Sequence, residues 1–199
     1  IRGLTSQRVL MVRDGFRQEF QQWGDEHHAQ IDPLTVDRVE VLRGPNSLLY
    51  GSDALGGVIA FSRPALPDAS QGAPKLAGKT VFDYYSNNRQ VAGGLSLFGA
   101  SGPVGYRLSL TGRDGDAFRT PKAKVPNSAA KDVNGSGTIG FRREWGQFDV
   151  DYGRTKQEVE LPEADPAETP FQKLTGDQVA LHTNVPVGST TLEAMGAFQ

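Results

Sequence analysis

From residue 79 to the end, apolar and polar residues alternate with a period of two, and this constrains the chain more than any other feature. Tyr106, Leu108 and Leu110 share one face of a run whose other face carries Arg107, Ser109, Thr111 and Arg113. Ile139, Phe141 and Trp145 oppose Thr138, Arg142 and Glu144; Phe148, Val150 and Tyr152 oppose Asp149, Asp151 and Arg154. Val179, Leu181 and Val185 oppose His182 and Asn184, and Leu192, Ala194 and Phe198 oppose Glu193. Successive side chains of a strand point to opposite faces, so each run reads as a strand with one apolar face.

The punctuation between runs supports one register. Gly146-Gln147 reads as a two-residue turn that brings Trp145 and Phe148 together, and Gly188-Ser189 does the same for Val187 and Thr190. Both keep the apolar face continuous, whereas a slip of one residue would flip it. Connections alternate in length: Ser101–Gly105, Gly146-Gln147 and Gly188-Ser189 are short, while 119–132 and 160–175 are long, polar and proline-bearing. Short turns on one rim and long loops on the other describe an outer-membrane barrel. Tyr106, Trp145 and Phe148 lie beside short turns on the apolar face, where a girdle of aromatic residues belongs. The competing reading is a soluble antiparallel sandwich, which also alternates. Loop alternation and girdle placement favour the barrel.

Composition narrows the classes. A formal net charge of -2 gives no basic footprint for nucleic acid. With no cysteine there are neither disulfides nor thiolate metal sites. No apolar run is long enough for a transmembrane helix, which leaves barrel strands untouched. The chain opens on Ile1-Arg2-Gly3-Leu4 with no initiator methionine or signal peptide, and ends on Phe198-Gln199 within a strand pattern. It is therefore expected to be an internal piece of a longer protein.

Residues 1–66 follow a different grammar, that of a compact mixed α/β unit. Val9-Leu10-Met11-Val12 closes on the turn signal Asp14-Gly15; Val39-Glu40-Val41-Leu42 ends at Gly44-Pro45; Val58-Ile59-Ala60-Phe61 is a third apolar run. These strands lack clean alternation, as buried strands do. Ser47-Leu48-Leu49-Tyr50 fits one helical turn before Gly51. Residues 67–78, rich in Pro, Ala, Gly and Ser, read as a linker to the strands of 79–199.

Ile1-Arg2-Gly3-Leu4 followed by Arg8-Val9-Leu10-Met11-Val12-Arg13-Asp14-Gly15 resembles the "IRGL…RVLVLIDG" pattern of TonB-dependent receptor plugs, departing at Arg13. Asp37-Arg38-Val39-Glu40-Val41-Leu42-Arg43-Gly44-Pro45 and then Ser47 through Ile59 resemble the family's "ERVEVLRGPxSxLYGSxAxGGVI" signature almost without a gap. The resemblance implies a plug, 1–66, followed by about seven antiparallel transmembrane strands, a fragment of a 22-stranded barrel. It implies an outer-membrane location in a Gram-negative bacterium and import of a scarce ligand such as a siderophore, haem or metal ion. It also implies energy from the inner-membrane TonB complex, through a segment that precedes "IRGL", and contact with the lipid bilayer. No cofactor is implied.

Gly44, Gly51, Gly56 and Gly57 are the expected sharp turns of such a plug. Arg38, Glu40 and Arg43 are expected to pair with each other or with barrel residues and so hold the plug; ordinary surface pairing is the plainer alternative. The segment Trp23-Gly24-Asp25-Glu26-His27-His28 falls where the family places a plug loop that meets ligand first. Asp25, Glu26, His27 and His28 offer O and N donors suited to zinc, copper or iron, His27 and His28 as metal ligands, and Trp23 offers a stacking surface for a flat ligand. A solvated loop that binds nothing is the bland alternative.

No catalytic constellation stands out, so an enzyme is not expected. Gly51–Gly57 lacks the Lys-Ser/Thr of a P-loop, and Ser47 and Ser52 lack a nucleophile's neighbours. His182 is expected on a polar strand face, and Asp114 and Asp116 in a plain acidic loop rather than the cation site their carboxylates could also form. A non-transporting surface binding module is the second functional reading beside transport.

Overall fold

The computed structural model describes residues 8–18, 31–43, 50–51, 54, 56–161 and 170–199. The chain divides into two compact units, Ile1–Ala65 and Leu66–Gln199.

The first unit is a four-stranded sheet in the order β2-β1-β4-β3, from β1 (Leu10–Arg13), β2 (Phe16–Arg17), β3 (Arg38–Leu42) and β4 (Val58–Ser62). A 3-10 turn at Pro33–Thr35 precedes β3, capped by the Asp32 carboxylate, which accepts from the Leu34 amide at 3.0 Å. β1 runs parallel to β4, while β2 and β3 pair antiparallel at either side. Asp14 and Gly15 both take positive φ, 51° and 86°, as a two-residue hairpin turn with the twist of its strands requires. Leu10, Val12, Ala54 and Val58 form a small core, flanked by Leu42 and Tyr50. The expectation of three buried strands needs correction. β3 is an edge strand, and its Val39 and Val41 are exposed. A strand with a neighbour on one side only has no second layer forced upon it. The helical turn expected at Ser47–Tyr50 lies outside the described residues, save for Tyr50, which is helical.

The second unit is a seven-stranded antiparallel meander of sequential neighbours, β5 to β11. The strands are β5 (Lys75–Tyr85), β6 (Gln90–Ser101), β7 (Val104–Gly115), β8 (Ala130–Arg143), β9 (Gly146–Glu160), β10 (Phe171–Val187) and β11 (Thr190–Phe198). β5 begins four residues before the expected 79, so the linker ends at Pro74. Lys75-Leu76-Ala77-Gly78 is too weakly alternating to read as strand, yet pairs with Leu97–Ala100. The far ends of the expected loops 119–132 and 160–175 move likewise, since β8 begins at Ala130 and β10 at Phe171, where the ladders continue into polar flanks.

The short turn between β8 and β9 also moves. Arg143 pairs with Gly146 and Phe141 with Phe148, so Glu144-Trp145 turns the chain and Gly146, at φ 153°, is the first residue of the next strand. The glycine marks the exit of the turn rather than its centre. The displacement is an even number of residues, so every side chain keeps its face. Phe141, rather than Trp145, stacks on Phe148 with ring centroids 5.6 Å apart, and Trp145 leans on Phe141 at 6.4 Å.

One apolar row crosses all seven strands: Leu76, Gly99, Tyr106, Ile139, Val150, Leu181 and Gly196, each opposite the next. This face is open, with Leu108 60%, Leu110 63% and Ile139 58% exposed, whereas Ser109, Thr111, Asp132 and Asp151 on the other face are 9% or less. The polarity is inverted relative to a protein folded in water: apolar side chains face out and polar ones are shielded. A soluble sandwich would turn the apolar face to a second sheet. The inversion fits strands that meet hydrocarbon.

Arg154, expected on the polar face, instead shares the apolar face with Tyr152, because residues two apart on a strand point the same way and Arg154 pairs with Gly135, the neighbour of Leu110. Leu108→Arg is expected to cost about 2–4 kcal/mol when the protein folds into lipid vesicles, against less than about 1 kcal/mol for Arg154→Ala further along the same face. Urea titration in vesicles measures both.

Candidate functional site

The polar face of the meander is built from side chains directly opposite one another on neighbouring strands. Ser96 and Ser109 hydroxyls meet at 2.8 Å, and Thr138 donates to Asp151 at 2.8 Å. Arg113 lies 3.4 Å from Asp132, which also accepts from Asn134 at 3.0 Å. His182 Nδ1 is 3.2 Å from Asp149, and Arg142 Nε donates to Gln147 at 2.8 Å. Register alone sets these meetings, since opposite residues on one face bring their Cβ atoms to about 5 Å. His182 thus sits on the polar face as expected, in contact with a carboxylate.

At the short-turn rim this face also holds the segment that follows the first unit. Asp68 accepts from Arg142 at 2.8 Å and from the Ser70 amide at 2.9 Å, and the Lys75 ammonium donates to the Asp68 carbonyl at 2.8 Å. The Ser70 amide first, and Arg142 second, hold the Asp68 carboxyl down at about 2. At the opposite rim the turn 86–89 is laced to the loop 116–129. Asn87 and Arg119 exchange two hydrogen bonds of 2.8 Å, and Arg89 clasps Asp116, holding that carboxyl below its ordinary range. Beside them a cleft of about 390 Å³ is lined by Asp114, Lys131, Glu158, Lys173 and Phe171 among others. Both of its lysines are paired, Lys131 3.2 Å from Asp114 and Lys173 2.7 Å from Glu158. The plain acidic loop expected at Asp114 and Asp116 is therefore a set of ion pairs.

In the first unit Arg38 and Glu40 pair with each other at 2.6 Å, on one face of β3, both well exposed at 65% and 44%. Such a pair contributes about 0–1 kcal/mol. Arg43 is exposed just beyond β3. Gly51 and Gly57 take positive φ, 92° and 127°, and Gly56 is buried. Gly44, Trp23, Asp25, Glu26, His27 and His28 lie outside the described residues. Among the described residues no three His, Asp or Glu side chains converge to hold a metal ion.

Among the ion pairs that sequence reasoning missed, one in the first unit is shielded. Asp14 Oδ2 accepts from Arg63 Nε at 2.6 Å while its Oδ1 accepts from the Arg63 amide at 2.8 Å, both side chains being largely buried at 16% and 13%. The left-handed Asp14 of the hairpin turn thus fixes the exit of β4. Asp-Gly carries the turn signal in sequence, but nothing there points to a partner 49 residues away.

A small mixed-sheet domain precedes a meander whose apolar face is exposed and whose polar face is networked; this is the organisation of a plug followed by membrane-type β-strands. Residues 1–58 match the TonB-dependent Receptor Plug Domain family. The chain is 30% identical over 184 residues to the heme/hemopexin utilization protein C of Haemophilus influenzae, covering 90% of this chain and 24% of that protein. It is 35% identical over 128 residues to the hemin receptor of Yersinia pestis, covering 64% and 19%. The siderophore receptor PirA from Pseudomonas aeruginosa shares the fold at a TM-score of 0.73 and 19% identity, over 99% of this chain and 33% of that one. The chain belongs to the TonB-dependent receptor family. It spans about a quarter or less of the length of these curated relatives.

Two outcomes test this geometry. Asp14→Ala is expected to destabilise the plug by about 3 kcal/mol, since it removes a shielded carboxylate that accepts from both the side chain and the amide of Arg63; faster hydrogen exchange across β4 reads it. The Asp68 carboxyl is depressed on folding, so its contribution is complete above the ordinary value of 3.8 and is lost as pH falls through about 2. A carbon-labelled Asp68 in the detergent-bound receptor is expected to show no titration between pH 7 and pH 4.

Proposed function

We propose that this chain is the plug and the first strands of a TonB-dependent outer-membrane importer of a Gram-negative bacterium, and that its ligand is an iron complex, with haem first among the candidates. The observation that carries the reading is the inverted polarity of the meander, joined to a plug signature. A sheet with an apolar outer face and a networked inner face serves a barrel wall, and closure into 22 strands would pair the edges β5 and β11 that this chain presents. Haem stands first because the relatives above are named for heme and hemin. Energy is supplied through TonB.

In this reading the loop Trp23–His28 meets ligand before the barrel interior does. Trp23 stacks on a flat chelate, while His27 and His28, helped by Asp25 and Glu26, offer donors to its metal. Gly44, Gly51, Gly56 and Gly57 let the plug chain turn in a confined space, and Arg38, Glu40 and Arg43 hold the plug until it is pulled. No residue in this reading performs covalent chemistry. A surface module that binds without transporting would need its apolar face covered, and nothing favours it.

Calorimetric titration of the full-length receptor in detergent, with haem, zinc, copper and a ferric siderophore panel, tests both levels. Haem is expected to bind, and His27→Ala with His28→Ala together is expected to weaken it by about tenfold or more, roughly 1.4 kcal/mol. Silence towards every probe would refute import of these ligands. Unchanged haem affinity in the double variant would move recognition out of the plug loop.

A further inference from the structure

We propose that Leu66–Ser70 is a latch that keeps the chain leaving the plug fastened to the barrel strands while ligand passes, so that the plug rearranges about a fixed C-terminal end. The proposal rests on the transport reading above.

Three unlike fastenings coincide in these five residues. Gly105 and Gly140 stand opposite each other on β7 and β8 and leave a notch on the polar face. Leu66 fills it: a Cβ on Gly140 would lie 2.6 Å from Leu66 Cδ1, and a Cβ on Gly105 would lie 2.7 Å from the Pro67 carbonyl oxygen. A side chain at Gly105 would therefore collide with the backbone of the segment, and one at Gly140 would displace the Leu66 side chain from the notch. Next, Asp68 is gripped by Arg142, whose Nε is steadied by Gln147 of the following strand. Finally, Ala69 forms a backbone bridge to Gly102 in the β6–β7 turn and is only 3% exposed.

A linker that merely spanned a gap would need none of this. Leucine in a fitted notch, a charge pair and a backbone bridge differ in solvent dependence, so no single change of conditions weakens all three. On the plug side Asp14 holds Arg63, so only Pro64 and Ala65 lie between the two fastenings, and proline stiffens that interval. There is almost no slack to take up. A pull applied to the start of the plug would have to be relieved within the plug.

The test places a thiol in the latch. This chain has no cysteine of its own, and cysteine is close to alanine in size. In the full-length receptor carrying Ala69→Cys, a small charged maleimide that enters the periplasm through porins reports opening. At rest, labelling is expected to be slow, and to rise about tenfold or more when Asp68→Ala or Arg142→Gln is added. The charge-swapped pair Asp68→Arg with Arg142→Asp is expected to restore protection, which a general folding defect would not. During haem uptake the Ala69→Cys rate is expected to stay at its resting value. A rise on uptake overturns the proposal, as does resting protection that ignores Asp68→Ala. If haem is not taken up at all, the transport reading fails, while the resting comparison still decides whether the latch exists.

Discussion

A strand that enters hydrocarbon cannot leave a backbone N–H or C=O to water, so each must find its partner on a neighbouring strand. The rest of this structure follows from that constraint. It demands long, unbroken ladders, and β8, β9 and β10 run 14, 15 and 17 residues with pairing on both sides. It also fixes which side chains meet, because a continuous ladder admits one register. The apolar face is left open, and the polar face satisfies itself. Thr138 with Asp151, and Asp149 with His182, are consequences of that pairing rather than additions to it.

The plug obeys a different economy of contacts. Among its described residues, apolar burial centres on Leu10, Val12, Ala54 and Val58. Backbone geometry and directed polar bonds act beside it. A left-handed Asp14 turns β1 into β2 and at the same time grips Arg63 beyond β4, so one residue ties together the C-terminal ends of the two parallel strands. The shielded position of that pair makes it worth more than Arg38 with Glu40, which water screens. Beyond Arg63 the chain passes almost at once into the contacts around Leu66 and Asp68.

The seven-strand meander and its two faces were legible in the sequence because period two survives averaging over whole strands. Turn positions were less so. Glycine announces a reversal without saying whether it sits in the turn or just past it, and Gly146 sits past it. Strand ends were hidden at Lys75 and Phe171, where polar residues continue a ladder that only the neighbouring strand can reveal. The plug signature was plain, since Arg38 through Ile59 leaves little room for another family. For the sites, His27 and His28 lie outside the described residues, and neither Asp14 with Arg63 nor Asp68 with Arg142 was legible in the sequence. Each joins residues separated by 49 or 74 positions, and no local pattern encodes a partner that far away.

By itself, then, the sequence determined the plug signature and the alternation of apolar and polar faces along the later strands, because side-chain alternation and turn chemistry are local properties of the chain. Only the tertiary structure decided that Phe141 rather than Trp145 stacks on Phe148, that β3 lies at an edge, and that Gly105 and Gly140 face each other to receive Leu66. Those are outcomes of register and of packing between distant segments. They depend on where a second strand lies, and a residue's own neighbours in sequence carry no record of that.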